Sequence, residues 1–325
     1  MTGAARAADA AGARPAEGAS RVSPGGPARR SVGLFDRFGV PVFTAAALLY
    51  LMVPILVMIA FSFNDPPGRF NYVWGQLSLA AWLNPFGRPG LQDAIVMSLI
   101  IATISTIVAT ALGTLIALAL TRYDFRGRSG TNLFLFIPMA TPEIVLGASL
   151  LTMFVGTAQE PLRTMTGGLF FPLGSQTILI AHIMFNISFV VVTLRARMQG
   201  FPRHLEEAAM DLGANEWTTF WKVTFPLILP GILAAALLAF SLSIDDFVIT
   251  QFTAGTEQTF PLWVWGSTRA SLPPQVHVIG TMVFVGAVGL VALSTVYERW
   301  LARRDERVAR TEMLRHGPTA EERAR

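Results

Sequence analysis

The chain has 325 residues, of which 52% are hydrophobic and only 14% charged, with a mean hydropathy of +0.50 and a pI near 10.1. Soluble domains carry about 25% charged residues, so this composition excludes an ordinary soluble fold and favours a membrane protein. The chain has no cysteine, which also excludes disulfide frameworks, thiol catalysis and cysteine-based metal centres.

Residues 1–39 are rich in Ala, Gly, Pro and Arg. They carry no apolar core and are predicted to form a disordered tail. They also lack the h-region of a signal peptide, so the first apolar run should be kept as a membrane helix. Six runs then approach the roughly 20 residues that a span requires. They are Val40–Phe61, Ala94–Leu120, Asn132–Val155, Thr177–Leu194, Gly231–Phe252 and Val276–Tyr297. The predicted fold class is an all-α integral membrane protein, with six transmembrane helices over 40–300 and a charged tail over 301–325. No internal repeat is visible.

Orientation follows from the basic residues. The tail holds Arg6, Arg14, Arg21, Arg29, Arg30 and Arg37, and the second-to-third loop holds Arg122, Arg126 and Arg128. The fourth-to-fifth loop adds Arg195, Arg197, Arg203 and Lys222, and eight arginines follow from Arg299 onward. Only Arg69, Arg88, Arg163 and Arg269 fall on the other side. The positive-inside rule therefore predicts that both termini and the fourth-to-fifth loop are cytoplasmic. The basic pI is a topology signal and implies no nucleic-acid partner.

The third run contains "ATPEIVLG", which sets Thr141, Pro142 and Glu143 in the N-cap, N1 and N2 order of a restarting helix, with Pro138 upstream. Irregular backbone at membrane depth is tolerated only where it lines a cavity or packs in protein. In the fourth run His182 and Asn186 share a helix face. They fit interhelical hydrogen bonding or a place on a substrate path.

The loop after the fourth run is the most informative segment. In "HLEEAAMDLGANEWTTFWKVTFPLILPG", Leu205, Ala208, Ala209 and Leu212 form one apolar stripe at i, i+3, i+4 and i+7. Glu206, Glu207 and Asp211 occupy other faces, and the two glutamates favour the helix start electrostatically. Gly213 supplies a C-terminal stop. Asn215 is a plausible N-cap for a second short helix bearing Trp217, Phe220 and Trp221, and Pro226 and Pro230 delimit the entry to the fifth span. Such a hairpin suits docking into a groove of a partner protein. It equally fits an amphipathic hairpin resting on lipid headgroups.

Asp245 and Asp246 lie in the fifth run, roughly 22 Å beyond Pro230 if the helix is continuous. Carboxylates in a span cost roughly 2.5–3.5 kcal/mol on insertion scales, so they face a pathway or a partner. Consecutive residues point about 100° apart, so one carboxylate suits the path while the other pairs locally. Asp245, Asp246 and Glu143 form the candidate acidic path for a cation. Tying helices together, and satisfying the helix start at Glu143, are the competing roles. Trp263 and Trp265, on the outer side before the sixth run, are expected in an interfacial aromatic belt.

The only lysine, Lys222, stands in "WKVT" without the glycines of a phosphate-binding loop, so Walker-type ATP hydrolysis by this chain is excluded. His182, His204, His277 and His316 show no metal or catalytic spacing. The chain is read as a non-enzyme, with no cofactor or metal of its own.

"EAAMDLG", nine residues and then "VTFP" resembles the EAA motif of ABC importer permeases, which is EAA, three residues, Gly, nine residues, Ile-x-Leu-Pro. Glu207, Ala208, Ala209, Gly213 and Pro226 match, while Val223 and Phe225 replace the Ile and Leu. "SLIIATISTIVATALGTLIALALTRYDFRGR" is similar to the second-span region of such permeases. "LAFSLSIDDFVITQFTAG" looks like the spermidine/putrescine branch in particular. The likeness runs from about Gly39 to Trp300 and leaves out the tail. It implies the type I importer architecture of two homologous permeases in the bilayer, a cytoplasmic ABC ATPase dimer that binds ATP and Mg, and an extracytoplasmic substrate-binding protein. In it the loop at about 200–226 is the coupling helix, Glu207 is the residue most exposed to the ATPase, and Gly213 sets the turn. Uptake of polyamines into a bacterial cytoplasm is the implied function. Import of another small organic cation or an aminophosphonate, and ion-coupled transport by the chain alone, are the alternatives.

Overall fold

The computed structural model describes residues 39–157, 159, 162–165, 172–199, 204–289, 292–293 and 296. The predicted tails at 1–39 and 301–325 fall outside these residues apart from Gly39, as do 200–203 of the loop. The described chain is almost entirely helical. The elements are α1 (Val40–Phe61), a hairpin of β1 (Asn64–Asp65) and β2 (Gln76–Leu77), α2 (Ala80–Leu83), α3 (Leu91–Arg122), α4 (Arg128–Ala140), α5 (Glu143–Thr157) and α6 (Leu162–Met165). Then come α7 (Ser175–Met198), α8 (His204–Asp211), α9 (Glu216–Thr219), a π-helical turn (Phe220–Thr224), α10 (Phe225–Ile244), α11 (Val248–Thr253), α12 (Phe260–Ala270) and α13 (Pro274–Gly289).

α1 coincides with the first predicted run, and no residue of it is buried. It is apolar all round, as a lipid-facing span should be. Contacts divide the chain at Pro54 within α1, and the packing below belongs to the unit from Ile55 onward.

α3, α7 and α10 form the packed centre of that unit. The seam is built from small residues. α3 buries Ser105, Ala109, Gly113 and Ala117 at four-residue spacing. α10 buries Gly231, Ala235, Ala239 and Ser243 at the same spacing. Small side chains let helix backbones approach where no hydrophobic force separates protein from lipid. A Cβ on Gly113 would lie 2.6 Å from Val190 Cγ1, and one on Gly231 2.8 Å from Arg197 Cγ. Larger residues fill the ends, with Leu120, Leu194, Met198 and Ile228 in one cluster and Ile101, Ile178 and Ala254 in another.

Two predicted spans are not straight. The third is α4 and α5, bent by 107° at Thr141–Pro142. Pro142 removes an N–H and disfavours helix at Thr141. Thr141 does not cap the new helix as its N-cap position suggested, because its Oγ1 donates back to the Ile137 carbonyl at 2.6 Å. The fifth predicted run is interrupted too. α10 ends at Ile244, and α11 begins at Val248. Its N-terminal end is, conversely, longer than expected. Residues Glu216–Ile244 form one continuous helical span through the π turn, so Trp217, Phe220 and Trp221 do not sit on a separate second helix. Pro230 lies inside α10 rather than at its entry.

Among the described residues four helices are long and apolar enough to cross a membrane, or five if the bent pair counts as one. α13 covers the first part of the sixth predicted run, and most of the rest lies outside the described residues. The hairpin loop after α1 docks on the segment before α13. Asn71 N donates to Leu272 O at 2.8 Å, and its side chain donates to Phe61 O. Trp263 is a correction to the expected aromatic belt. It is buried, with Leu91, Ala94 and Ile279 around it and Nε1 donating to Pro89 O at 3.1 Å. Trp265 remains exposed, with the Arg269 guanidinium 5.2 Å above its ring.

Candidate functional site: the 204–226 loop and the two broken spans

The loop forms the predicted helix, Gly turn and N-cap. Gly213 has φ +90°. A Cβ there would meet nothing within 4 Å, so the left-handed backbone, rather than lack of space, requires glycine. The turn closes by Gly213 N donating to Met210 O and Ala214 N to Ala209 O. Asn215 Oδ1 then accepts from Thr218 N at 2.8 Å and caps the next helix.

The two glutamates have different surroundings. Glu206 turns inward, and its Oε1 accepts from Arg122 Nη2 at 2.7 Å and Thr224 Oγ1 at 2.6 Å. It thereby ties α8 to the end of α3 and to the π turn. Its side chain is 19% exposed and that of Arg122 15%, so each bond to a charged group is worth about 1.5–3 kcal/mol. Glu207, Ala208 and Asp211 are exposed, and Ala209 is half-buried. Arg122, which the sequence offered only as a topology charge, is the residue that separates the two roles.

The apolar stripe of α8 points away from the protein. Leu205 and Leu212 are exposed, Leu212 to 90%, and Trp217 beside them is 71% exposed. A groove of about 610 Å³ separates α8 and α9 from α3, lined by Leu115, Arg122, Glu207, Met210, Trp217 and Phe220 among others. Trp217, Trp221 and Phe225 continue as an aromatic cluster along the rising helix. Contiguous apolar surface of this kind marks a contact with a partner or with lipid. Pro226 stands in the first turn of α10, directly after the π turn.

The candidate acids sit at the breaks. Glu143 is exposed at the first residue of α5, and Asp245 is exposed just past α10. Asp246 is different. Its side chain is 7% exposed, and Oδ2 accepts from Thr250 N at 2.8 Å and Thr250 Oγ1 at 2.7 Å, with His182 Nε2 at 3.3 Å. Asp245 and Asp246 therefore have different surroundings, although they lie in the break between α10 and α11 and not on the continuous helix that the 100° offset assumed. His182 lies among helices as hydrogen-bonding glue: Nδ1 is 2.6 Å from Ser243 Oγ, and Nε2 is 2.9 Å from Thr250 Oγ1. Ser243 meets Ser105 of α3 at 3.0 Å. Ser105, Ser243 and Thr250 gave no sequence signal beyond being hydroxyls in apolar helices. Asn186, one turn from His182, is buried with both amide atoms unpaired.

Beyond the breaks, α11 packs on α5, and Phe252 approaches Gly147 so closely that a Cβ there would lie 2.5 Å from the ring. Phe247, in the second break, lies 5.3 Å from the Trp265 ring. Among the described residues no three His, Asp or Glu side chains are placed to hold a metal ion.

Residues 109–310 match the model of the family described as binding-protein-dependent transport system inner membrane component. The spermidine/putrescine transport system permease protein PotC of Haemophilus influenzae is 34% identical over 258 residues, 79% of this chain and 95% of that protein. The putrescine transport system permease protein PotI of Escherichia coli (strain K12) is also 34% identical, over 76% of this chain and 86% of its own length. Among solved structures, a bacterial alginate ABC transporter in complex with an alginate-bound periplasmic protein matches at a TM-score of 0.56, 16% identical, over 83% of this chain and 97% of that one. That likeness bears on the fold alone. The chain belongs to the family of binding-protein-dependent inner membrane permeases, and is a multi-pass transport subunit rather than an enzyme.

Proposed function

We propose that the chain is the permease subunit of a polyamine importer, carrying spermidine or putrescine into the cytoplasm. The observation that carries this is the 34% identity to two polyamine permeases over more than three quarters of the chain. Both termini and the 204–226 loop face the cytoplasm, a reading supported by the arginine distribution, and six helices span the bilayer. A second homologous permease completes the pathway, and an extracytoplasmic binding protein delivers the substrate. A cytoplasmic ABC ATPase dimer binds ATP and Mg and seats α8 in its cleft.

The exposed stripe of α8 supports that seat. Leu205, Ala208 and Leu212 are apolar and outward, while Glu206 holds the helix to α3 and to the π turn. Glu207 and Asp211 flank the contact, and Gly213 and Pro226 shape its far side. A push on α8 reaches α10 through the Gly213 turn and through the bond between Glu206 and Thr224. On the substrate side, Asp245 and Glu143 offer carboxylates to ammonium groups at the two breaks. Asp246 supports the path from behind, because it is buried and its Oδ2 is engaged by Thr250.

The test is uptake by the reconstituted complex. Glu207→Ala and Gly213→Pro are expected to leave membrane insertion intact while substrate-stimulated ATP hydrolysis no longer drives polyamine uptake. Normal coupling in both variants would refute the role of α8. Gradient-driven uptake by the chain without an ATPase would replace the proposal with an ion-coupled transporter.

A further inference from the structure

We propose that His182 is a positioning residue: it pins both sides of the break in the fifth span and so fixes where Asp245 stands. The inference rests on the reading that Asp245 lines the substrate path. One imidazole of α7 reaches across the break. Its Nδ1 contacts Ser243 in the last turn of α10, and its Nε2 contacts Thr250 of α11 and approaches Asp246. The bonding has a direction. Thr250 donates its hydroxyl to Asp246 Oδ2, so its oxygen is left to accept from Nε2–H, and Nδ1 accepts from the Ser243 hydroxyl. In this arrangement Nε2–H serves the Thr250 arm and the Nδ1 lone pair serves the Ser243 arm.

No local helix breaker explains why the helix is interrupted there. Residues 244–248 contain neither proline nor glycine, the usual causes of a break. Covalent continuity alone would let Ile244 propagate as helix into Val248. The break persists because Asp246 caps Thr250 and His182 spans the gap, while Ser105 anchors Ser243 to α3. All four side chains His182, Ser243, Thr250 and Ser105 are buried. Each left without its partner would carry the penalty of an unmet buried polar group. Asp245, in contrast, remains exposed between the two fixed ends. α11 in turn carries Phe252 against Gly147 of α5, so His182 also sets the position of the helix half beyond the bend of the third span.

The chain has no cysteine, which permits a test that does not depend on substrate. Ala254, at the end of α11, is 2% exposed and packs with Ile101 and Ile178. Ala254→Cys is placed in the assembled complex in membranes, and its labelling by a membrane-impermeant thiol reagent is timed. His182→Ala, which removes both arms, is expected to raise the labelling rate by more than about fivefold, the ratio for loss of one net hydrogen bond. His182→Gln, which retains a donor toward Thr250 and Asp246, should restore slow labelling, whereas His182→Asn, too short for that arm, should not. Ser243→Ala removes one arm only and serves if His182→Ala fails to assemble, with an intermediate rate expected. In uptake, His182→Ala should raise KM while leaving basal ATP hydrolysis unchanged. Labelling equal to that of the His182 parent in both His182→Ala and Ser243→Ala would overturn the proposal. If labelling responds while Asp245→Asn leaves polyamine uptake intact, the pin stands and the path assignment of Asp245 falls.

Discussion

Arg122 and Glu206, 84 positions apart in sequence, meet at 2.7 Å where the long helix α3 ends and the loop helix α8 begins to leave the membrane domain. The same carboxylate takes the Thr224 hydroxyl at 2.6 Å. Glu206→Gln is expected to weaken both bonds and lower stability by about 1–2 kcal/mol, seen as a fall in the thermal midpoint of the purified complex. Glu207→Gln, on the exposed side, should change stability by less than about 0.5 kcal/mol yet reduce coupled uptake. Equal thermal losses in the two variants would contradict the division of roles.

The outward stripe of α8 leads to a binding prediction. Leu212→Glu places a charge at a position that is 90% exposed in the isolated chain, so the permease itself should fold and insert normally. Affinity for the ATPase should drop at least about tenfold, or 1.4 kcal/mol, as measured by titrating ATPase onto the permease in nanodiscs. Unchanged affinity would move the docking surface off α8.

The left-handed turn at Gly213 sets a third expectation. Gly213→Ala should cost about 1–2 kcal/mol, the penalty of a Cβ in that region, although space is open around it. Gly213→Asn should cost less, because asparagine tolerates this conformation. Chemical denaturation of the two variants checks the order.

Asp245 and Asp246 separate function from architecture. Asp245→Asn should leave the thermal midpoint nearly unchanged and cut polyamine uptake. Asp246→Asn weakens the acceptor for Thr250 and His182, and should destabilise by about 1–3 kcal/mol. A reversed pattern, with Asp245→Asn the destabilising variant, would show that the break is held differently.

Packing of the centre is tested at Gly113. Gly113→Val drives a branched side chain into Val190, 2.6 Å from where even a Cβ would sit. Overpacking of about 3 kcal/mol is expected, read as reduced yield of folded protein in detergent.

Run length alone located α1 to the residue and α7 to within a few positions, because desolvated backbone leaves the helix as the solution for an isolated span. The 107° bend was legible because Pro142 announces it. The break at Asp245–Phe247 was not, since no residue there forbids helix, and the groups that join Asp246 in holding it, His182 of α7 and Ser105 of α3, lie far away in sequence. The same limit applied in the loop. Spacing placed Glu206 and Glu207 on the first turns of one helix, but only the position of Arg122 in space tells which is bonded inward. Trp263 was misplaced for a related reason: an indole before a span reads as a belt residue unless a carbonyl such as that of Pro89 lies within reach.

The π turn at Phe220–Thr224 has a consequence for how this chain tolerates length change. A π turn holds one more residue than an α turn, and each helical residue advances the face by about 100°. The phase between Trp217 and the small-residue row Gly231, Ala235, Ala239 and Ser243 is therefore set in those five positions. Removing a single residue there would let the turn relax to α geometry with both ends in place. Removing one from the α-helical stretch between Ile232 and Ile244 would instead rotate Ser243 away from Ser105. The turn works as an adjustable joint in sequence space, absorbing indels that the helix above it cannot.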